Sequence, residues 1–154
     1  FVKMKKISSG FDRKTKSEIV DLGKLGKELK KEIAKRETSK RETLVVEGHL
    51  ACEIPLPADY VFVLRCRPKE LEKRMRKRNY AGGKVRENLL AEMLDYCTQN
   101  AEANYPEARI FEIETAGRNA GETAGRIAKI ISGKTAERER ISYQKELKEF
   151  LRLR

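Results

Sequence analysis

The sequence has few of the residues that build metal centres, disulfide frameworks and hydrolase sites. It holds one histidine, three cysteines and no tryptophan among 154 residues. One histidine with dispersed cysteines excludes a zinc tetrad, and no serine-histidine or cysteine-histidine signature is present. Cys52, Cys66 and Cys97 form no C-x-x-C pair. Their odd number indicates core thiols in a reducing compartment.

Long apolar runs are also absent. A membrane-spanning helix needs roughly 18 or more apolar residues in succession, and no segment approaches that length. There are no internal repeats or low-complexity linkers, and a chain of this length fits one domain. These features predict a cytoplasmic protein that does not enter a membrane.

Positive charge is what the sequence has in excess. Lys and Arg number 35 against 24 Asp and Glu, which gives a formal net charge of +11. The charge favours a partner rich in phosphate, whether a nucleotide, RNA or an acidic membrane surface. Charge alone does not distinguish these partners.

The apolar pattern predicts an α/β fold. Strands are predicted at 44–47, 60–66 and 110–113, where valine-rich runs are typical of parallel strands covered on both faces. Five segments have helical spacing, which places helices on both faces of a parallel sheet. They begin after Asp21, at Pro68, at Val85 (continuing to Ala101), at Ala120 (ending near Gly133) and at Tyr143.

Glu47 ends the first predicted strand, and His49 lies two residues beyond it. Ligands of open α/β sheets bind beyond the carboxyl ends of the strands, so both side chains stand where chemistry is expected. A carboxylate there can hold Mg²⁺ through its water shell, and an imidazole can orient a water or a phosphate oxygen. The alternative is a surface glutamate beside a histidine that bonds to backbone.

The basic segment at 76–87 contains Gly82 and Gly83, which predicts a mobile loop that could close as a lid. Arg78 at its start has a guanidinium suited to stabilising a transferred phosphoryl group. The alternative is an exposed cationic turn. Arg65 and Arg67, at the end of the second strand, could face a phosphate or could lead into the helix at Pro68.

The residues at 131–135, ISGKT, suggest a phosphate-binding loop but do not form one. The pattern G-x-x-x-x-G-K-[ST] requires glycine where Ala128 stands, and the triplet follows a helix rather than a strand. Gly133 is therefore interpreted as a helix C-cap.

Four segments together carry a resemblance to a known family. TLVVEGHL, PADYVFVLRCRPKELEKRMRKRNY, KVRENLLAEMLDYC and RIFEIETAG resemble, in this order, the adenylate kinase isoenzyme 6 family. Members of that family are small nucleoside monophosphate kinases that are also tied to ribosome assembly. The resemblance covers roughly residues 1–133.

The resemblance implies a P-loop nucleoside monophosphate kinase fold, with three α/β/α layers around a parallel sheet. The catalytic set would be Glu47, His49 and Arg78, with ATP at Arg78 and Mg²⁺ held by Glu47 through water. Here Glu47 replaces the commoner Asp, and Asn79 stands where glycine is usual. Residues 1–21 would end the monophosphate-binding segment, 77–87 would form the lid, and 134–154 would be a basic helical tail.

The family's first strand and phosphate loop have no counterpart in these 154 residues. The resemblance implies that this strand lies upstream, between the strands at 44–47 and 60–64, and that the fragment alone is inactive. The full protein would convert ATP and AMP to ADP, with possible ATPase activity. The alternative is a ribosome-assembly module that binds rRNA or a small-subunit ribosomal protein without kinase activity.

Overall fold

The computed structural model describes residues 1–2, 4–13, 17–37, 43–135 and 139–152. The chain divides into two compact units, residues 1–57 and residues 58–154. Residues 3 and 14–16 of the predicted monophosphate-binding segment lie outside the described residues, as do residues 136–138 and 153–154 of the predicted tail.

The first unit begins with an antiparallel hairpin that the sequence did not predict. Strands β1 (Ser8–Asp12) and β2 (Ser17–Val20) pair with Asp12 opposite Ser17, and an irregularity interrupts the register between Ser8 and Gly10. Phe11 and Ile19 on this hairpin are 59% and 50% exposed. Its side chains therefore contribute little to a hydrophobic interior.

Helix α1 (Leu22–Glu37) confirms the helix predicted after Asp21. The Oδ1 atom of Asp21 accepts a 2.9 Å hydrogen bond from the backbone N–H of Lys24, which is an N-cap interaction. Leu25 is buried, as is Ile54 just after the short 3₁₀ helix Ala51–Glu53. Gly26 lies so near Ile54 that an added Cβ would come within 2.9 Å of Ile54 Cγ2.

The strand predicted at 44–47 is wrong. Residues 43–48 have no regular secondary structure and join no sheet in the described part of the chain. Val45 is 77% exposed. A valine-rich run favours burial and extended backbone, but a strand forms only where a neighbouring strand supplies hydrogen bonds.

The second unit contains a parallel strand pair that confirms the other two predicted strands. Strand β3 (Tyr60–Arg65) runs parallel to β4 (Arg109–Glu114), with Phe62 opposite Phe111 and Arg65 opposite Glu114. Together with its helices, this pair confirms a mixed α/β fold with a parallel sheet.

One face of the pair packs against helix α5 (Ala120–Ile131). Phe111 and Ile113 are buried with Ile130, and the Phe62 and Phe111 rings stack with centroids 5.7 Å apart. Side chains alternate along a strand, so Glu112 and Glu114 lie on the opposite face. Toward the carboxyl ends of the strands that face is polar, whereas the sequence predicted apolar cover on both sides.

Four further helices complete the unit: α2 (Pro68–Lys77), α3 (Gly82–Met93), α4 (Tyr96–Asn104) and α6 (Gln144–Arg152). Pro68 stands in the first turn of α2, where its missing N–H costs no hydrogen bond. A hydrophobic core joins α2, α3 and the residue before α6, and consists of Met75, Val85, Leu89, Met93 and Tyr143.

The single helix predicted from Val85 to Ala101 is two helices. The chain breaks at Asp95, whose φ of 56° is left-handed. Aspartate tolerates this conformation better than most residues, and here its Oδ1 atom lies 2.5 Å from Arg65 Nη2. This ion pair compensates for the break, and its partner is thirty residues away, so helical periodicity gives no sign of it.

Helix α5 begins and ends where the sequence predicted. Asn119 and Glu122 form a capping box, in which each side chain accepts a hydrogen bond from the other residue's backbone N–H. Gly133 has a φ of 71°, and the N–H of Lys134 bonds to the carbonyl of Lys129 at 2.9 Å. The interpretation of Gly133 as a C-cap is confirmed.

Candidate functional site

The carboxyl ends of β3 and β4 meet at one edge of the parallel pair, which is where α/β folds place their ligands. Arg65 ends β3, and Glu114 lies opposite it at the end of β4. The chain leaves this edge through two segments, one leading into α2 and the other into α5.

Arg65 is enclosed at this edge, with 2% of its side chain exposed. Five hydrogen bonds occupy its guanidinium. They run to the carboxylate and the backbone carbonyl of Glu92, to Asp95, to Thr98 and to Glu112. A guanidinium has five N–H donors, so none is left for a phosphate oxygen. The phosphate contact suggested for Arg65 is therefore corrected, because the side chain is part of the fold.

Electrostatics keep Arg65 charged. Burial alone would lower the pKa of Arg65, but hydrogen bonds to Glu92 and Asp95, with the charge of Glu112, raise it above its ordinary value. Three carboxylates that would repel one another are thus joined around one cation. We name Arg65, Glu92, Asp95 and Glu112 the arginine network.

Tyr143 extends this network. Its hydroxyl donates a 2.9 Å hydrogen bond to Glu114 Oε2, and its ring lies 5.2 Å from the Arg65 guanidinium carbon. Burial and the bond to Glu114 raise the pKa of the Tyr143 hydroxyl, which therefore stays a donor to higher pH than an exposed tyrosine does. Tyr143 was predicted only as an apolar residue of the last helix.

Sequence reasoning also missed a second group at this edge. Arg74 donates to the backbone oxygen and the hydroxyl of Thr115 at 2.9 and 3.3 Å, and the Thr115 hydroxyl donates to the Arg65 carbonyl at 2.8 Å. Arg118 donates to the Glu114 carbonyl at 2.5 Å. The signal that was available is the polar turn after β4, beyond the end of a buried strand.

Arg78 lies at the end of α2 and has an exposed side chain. Its backbone N–H bonds to the carbonyl of Met75 at 3.0 Å, and Asn79 then takes a left-handed φ of 58°. Among the described residues, the Arg78 guanidinium has no hydrogen-bond or ion-pair partner. By contrast, Arg76 is bound by Glu72 at 2.7 Å.

The lid predicted at 77–87 is mostly helical. Helix α3 begins at Gly82, so only residues 78–81 form a turn between two helices that pack through Met75 and Val85. The prediction of a glycine-hinged loop is therefore wrong. Gly82 and Gly83 lie in a first helical turn, where packing of the later residues outweighs low helix propensity.

Glu47 and His49 belong to the first unit, and both are exposed. The carbonyl of His49 accepts a hydrogen bond from Cys52 Sγ at 3.5 Å, and the carbonyl of Gly48 accepts one from Ala51 N–H at 3.1 Å. The two side chains thus lie at the entry to the 3₁₀ helix and not at the end of a strand. Glu47 and His49 remain a predicted site.

The first unit also carries a shallow cleft with a strongly positive lining, which we name the lysine cleft. Three lysines come from one side of α1 and two from the segment before β1, and they are Lys5, Lys6, Lys24, Lys27 and Lys31. Lys31 bonds to Glu28 at 2.7 Å, and this bond, more than the charge of Lys5, lowers the pKa of Glu28. The positive side chains outnumber the acid that lines the cleft.

The described residues contain no cluster of three or more His, Cys, Asp or Glu side chains arranged to hold a metal. A Mg²⁺ ion that keeps most of its water needs only one or two protein carboxylates, so such a cluster is not required.

Comparisons with known proteins show which family the chain is related to. An AAA-domain family matches residues 2–95. A protein named "Putative adenylate kinase" from Methanosarcina acetivorans is 39% identical over 131 residues, which cover 84% of this chain and 68% of that protein. One of the same name from Methanocaldococcus jannaschii is 30% identical over 152 residues, covering 99% and 79%. The chain belongs to the archaeal adenylate kinase family.

The shared length differs among the family's members. A third protein of that name, from Methanosarcina mazei, is 44% identical over 92 residues, and the match spans only 44% of its length. Family membership supports a kinase-like, nucleotide-binding function and agrees with the parallel pair and its helices. No described helix is long and apolar enough to cross a membrane.

Proposed function

We propose that the protein of which this chain is part is a cytoplasmic adenylate kinase of the isoenzyme 6 type. It transfers a phosphoryl group reversibly between ATP and AMP and yields ADP. The observation that carries the proposal is the match to archaeal relatives over most of the chain. The exposed Arg78, which no carboxylate holds among the described residues, supplies a cation for phosphate.

In this proposal Arg78 stabilises negative charge on the transferred group. A guanidinium is planar and always charged, so it can contact two phosphate oxygens at once. Arg78 ends a helix that is packed against α3 through Met75. Such support reduces the reorganisation that charge stabilisation would otherwise require.

Glu47 and His49 would serve the metal and the phosphates. The exposed Glu47 carboxylate fits a Mg²⁺ ion that keeps its water shell, because the ion asks few ligands of the protein. When bound, Mg²⁺ neutralises charge on the ATP phosphates. His49 would orient a water or a phosphate oxygen through an imidazole that is equally accessible.

We also propose that the phosphate-binding loop comes from residues outside the printed sequence. The 154 residues contain no G-x-x-x-x-G-K-[ST] pattern. Strand β3 pairs only with β4 in the described part of the chain, and Leu64 is 53% exposed. An in-frame strand and loop of this pattern encoded upstream of Phe1 would support the proposal, whereas a different sequence there would contradict it.

The test is ADP formation by the protein with its upstream residues included. We expect two ADP for each ATP and AMP consumed, and strict dependence on both nucleotides and on Mg²⁺. The 154-residue chain alone should show no turnover, because it lacks the loop that grips the phosphates. ATP hydrolysis that ignores AMP would contradict the kinase and would favour an ATPase.

The role of Glu47 can be tested in the same assay. Glu47→Gln keeps the size and removes the charge, so we expect a higher Mg²⁺ requirement and a fall in kcat of about tenfold or more. Glu53→Gln, in the nearby 3₁₀ helix, is the matched control and should leave the Mg²⁺ dependence unchanged. An unaltered Mg²⁺ dependence in Glu47→Gln would remove Glu47 from the site.

A second function is favoured by the lysine cleft. We propose that it lets the protein bind rRNA during small-subunit maturation, or an acidic surface of a small-subunit ribosomal protein. Lysines are point charges suited to contacting successive phosphates without reading bases. The five lysines line one cleft, rather than being scattered over the surface.

Binding to a labelled single-stranded RNA measures this second function. Affinity should fall steeply with added salt, with a slope on logarithmic axes of about 0.7 for each phosphate contacted. Replacing Lys24 and Lys27 by Gln should reduce that slope, whereas the same change at Lys145 and Lys148 of α6 should not. Equal slopes would show that the cleft does not bind RNA.

A further inference from the structure

The C-terminal segment of the described chain, residues 139–152, contacts both the sheet and the helix pair that carries Arg78. We name it the strap. We propose that the strap positions Arg78, with Tyr143 as its central positioning residue, by fixing helices α2 and α3 to strand β4. The inference rests on the proposed role of Arg78 for its catalytic consequence, while the fixing itself can be tested without nucleotide.

The strap is attached to one side of β4. Glu139 forms an antiparallel bridge with Glu112, and the backbone N–H of Ile141 donates a 3.0 Å hydrogen bond to Glu112 Oε2. Two residues on, the Tyr143 hydroxyl reaches Glu114 Oε2 at 2.9 Å. Glu112 and Glu114 are two residues apart and therefore lie on the same face of β4, so the strap is anchored to that face at two positions.

The same residues hold the helix pair. Tyr143 is 4% exposed and packs in one core cluster with Met75 of α2 and with Val85 and Leu89 of α3. Later in the strap, Phe150 packs against this cluster, and the Arg86 guanidinium carbon of α3 lies 4.7 Å from its ring centre. Tyr143 therefore joins β4 by its hydroxyl and both helices by its ring.

Met75 links this cluster to Arg78. Its carbonyl accepts hydrogen bonds from the N–H groups of Arg78 at 3.0 Å and Tyr80 at 3.2 Å, so one peptide group fixes the turn. A shift of Met75 must move the base of the Arg78 side chain. Placement errors of about 1 Å cost roughly 10²-fold in rate where a charged group must meet a transition state.

The arginine network also connects the sheet to α3, through strand β3 instead of β4. Arg65 ends β3 and bonds to the side chain and the backbone carbonyl of Glu92 in α3. Its guanidinium lies over the Tyr143 ring. The network thus holds α3 at a second point, and Tyr143 of the strap contacts it through its ring.

The first test is amide hydrogen exchange on the 154-residue chain. Tyr143→Phe removes one hydroxyl and leaves the ring, so the fold should persist. We expect exchange at Arg78, Asn79 and Tyr80 to become about fivefold faster, as loss of one buried hydrogen bond implies. Leu151→Ala, an exposed change on the same strap, should leave these amides unchanged.

A second variant keeps the test decisive if Tyr143→Phe unfolds. Arg86→Ala removes the contact with the Phe150 ring from the solvent side and should speed the same three amides by a smaller factor. Unchanged exchange at the turn in every folded variant would overturn the proposal.

The second test is a double-mutant cycle in the active, longer protein. We expect Tyr143→Phe to lower kcat by about fivefold to tenfold with little change in KM for AMP. On an Arg78→Ala background the same change should cost almost nothing, because its effect passes through Arg78. Additive losses would assign Tyr143 a general structural role and overturn the proposal. If no kinase activity is found, the exchange result alone decides whether the strap holds the turn.

Discussion

Two arginines in the second unit have opposite surroundings. Arg65 is enclosed by three carboxylates and a tyrosine ring, with every guanidinium donor bonded. Arg78 is exposed, and its guanidinium has no partner among the described residues. A buried cation whose donors are all satisfied serves the fold, whereas an exposed cation on a supported helix end can serve a ligand.

The contrast shows why position at a strand end does not assign function by itself. Both Arg65 and Glu114 lie at the carboxyl edge of the parallel pair. Their side chains bond β3 and β4 to α3 and to the strap. These contacts in turn support α2, the helix after which Arg78 stands. Replacing Arg65 should therefore lower the free energy of unfolding, whereas replacing Arg78 should lower the turnover number.

The largest effect on stability is expected for Arg65→Met. It leaves Glu92, Asp95 and Glu112 close together without their cation, and breaking a buried ion pair on one side typically costs about 3–5 kcal/mol. The measurement is the free energy of unfolding in denaturant. Arg67→Met is the matched control, since Arg67 is 73% exposed, and should change it by less than about 0.5 kcal/mol. Equal losses of stability in Arg65→Met and Arg67→Met would show that the buried arginine is no more important to the fold than the exposed one.

A second pair of variants compares the strand that forms with the one that does not. Ile113→Ala creates a cavity at a residue that is 1% exposed, so we expect a loss of about 2–5 kcal/mol. Val45→Ala changes an exposed side chain, and a loss below about 0.5 kcal/mol is expected. The measurement is the free energy of unfolding of both variants in denaturant. A large loss in Val45→Ala would mean that residues 44–47 are packed in solution.

The turn that carries Arg78 depends on Asn79, whose φ is 58°. Asn79→Val places a β-branched residue in left-handed backbone and should cost about 1–2 kcal/mol. Asn79→Gly accepts the same conformation without strain and should be close to neutral. Thermal unfolding measures both, and a harmless valine would show that the turn is not left-handed.

Tyr143 gives a pH dependence of known sign. Burial and Glu114 raise the pKa of its hydroxyl, so the folded chain keeps a proton that the unfolded chain loses near pH 10. The stabilisation is fully present below pH 10 and is lost as pH rises above it, by up to about 1.4 kcal/mol at pH 11. Tyr143→Phe should fall less steeply between pH 9 and 11. Parallel curves would place the hydroxyl in contact with water.

Local sequence signals predicted the elements that depend on local causes. Asp21, Pro68 and Gly133 mark helix ends through caps and fixed dihedral angles, and each acts within a few residues. The strand at 60–65 was identified by its apolar run. The break at Asp95 and the burial of Arg65 follow instead from a contact across thirty residues, which periodicity does not report.

The candidate site was predicted less completely for the same reason. Arg78 was proposed as a site residue because it begins a basic segment with glycines, although that segment is mostly helical. The exposed state of 44–47 could not be read from its valines, since burial depends on a neighbouring strand. The polar role of Tyr143 could not be predicted, because its hydroxyl bonds to Glu114, which is twenty-nine residues away in the sequence.

The turnover number of Arg78→Ala tests the central claim most directly. In the longer protein that we propose supplies the phosphate-binding loop, ADP formation from ATP and AMP should fall by about 10³-fold or more, as when an arginine that stabilises phosphoryl transfer is lost. The free energy of unfolding should stay unchanged, and Arg76→Ala should keep nearly full turnover. Full turnover in Arg78→Ala would contradict the account.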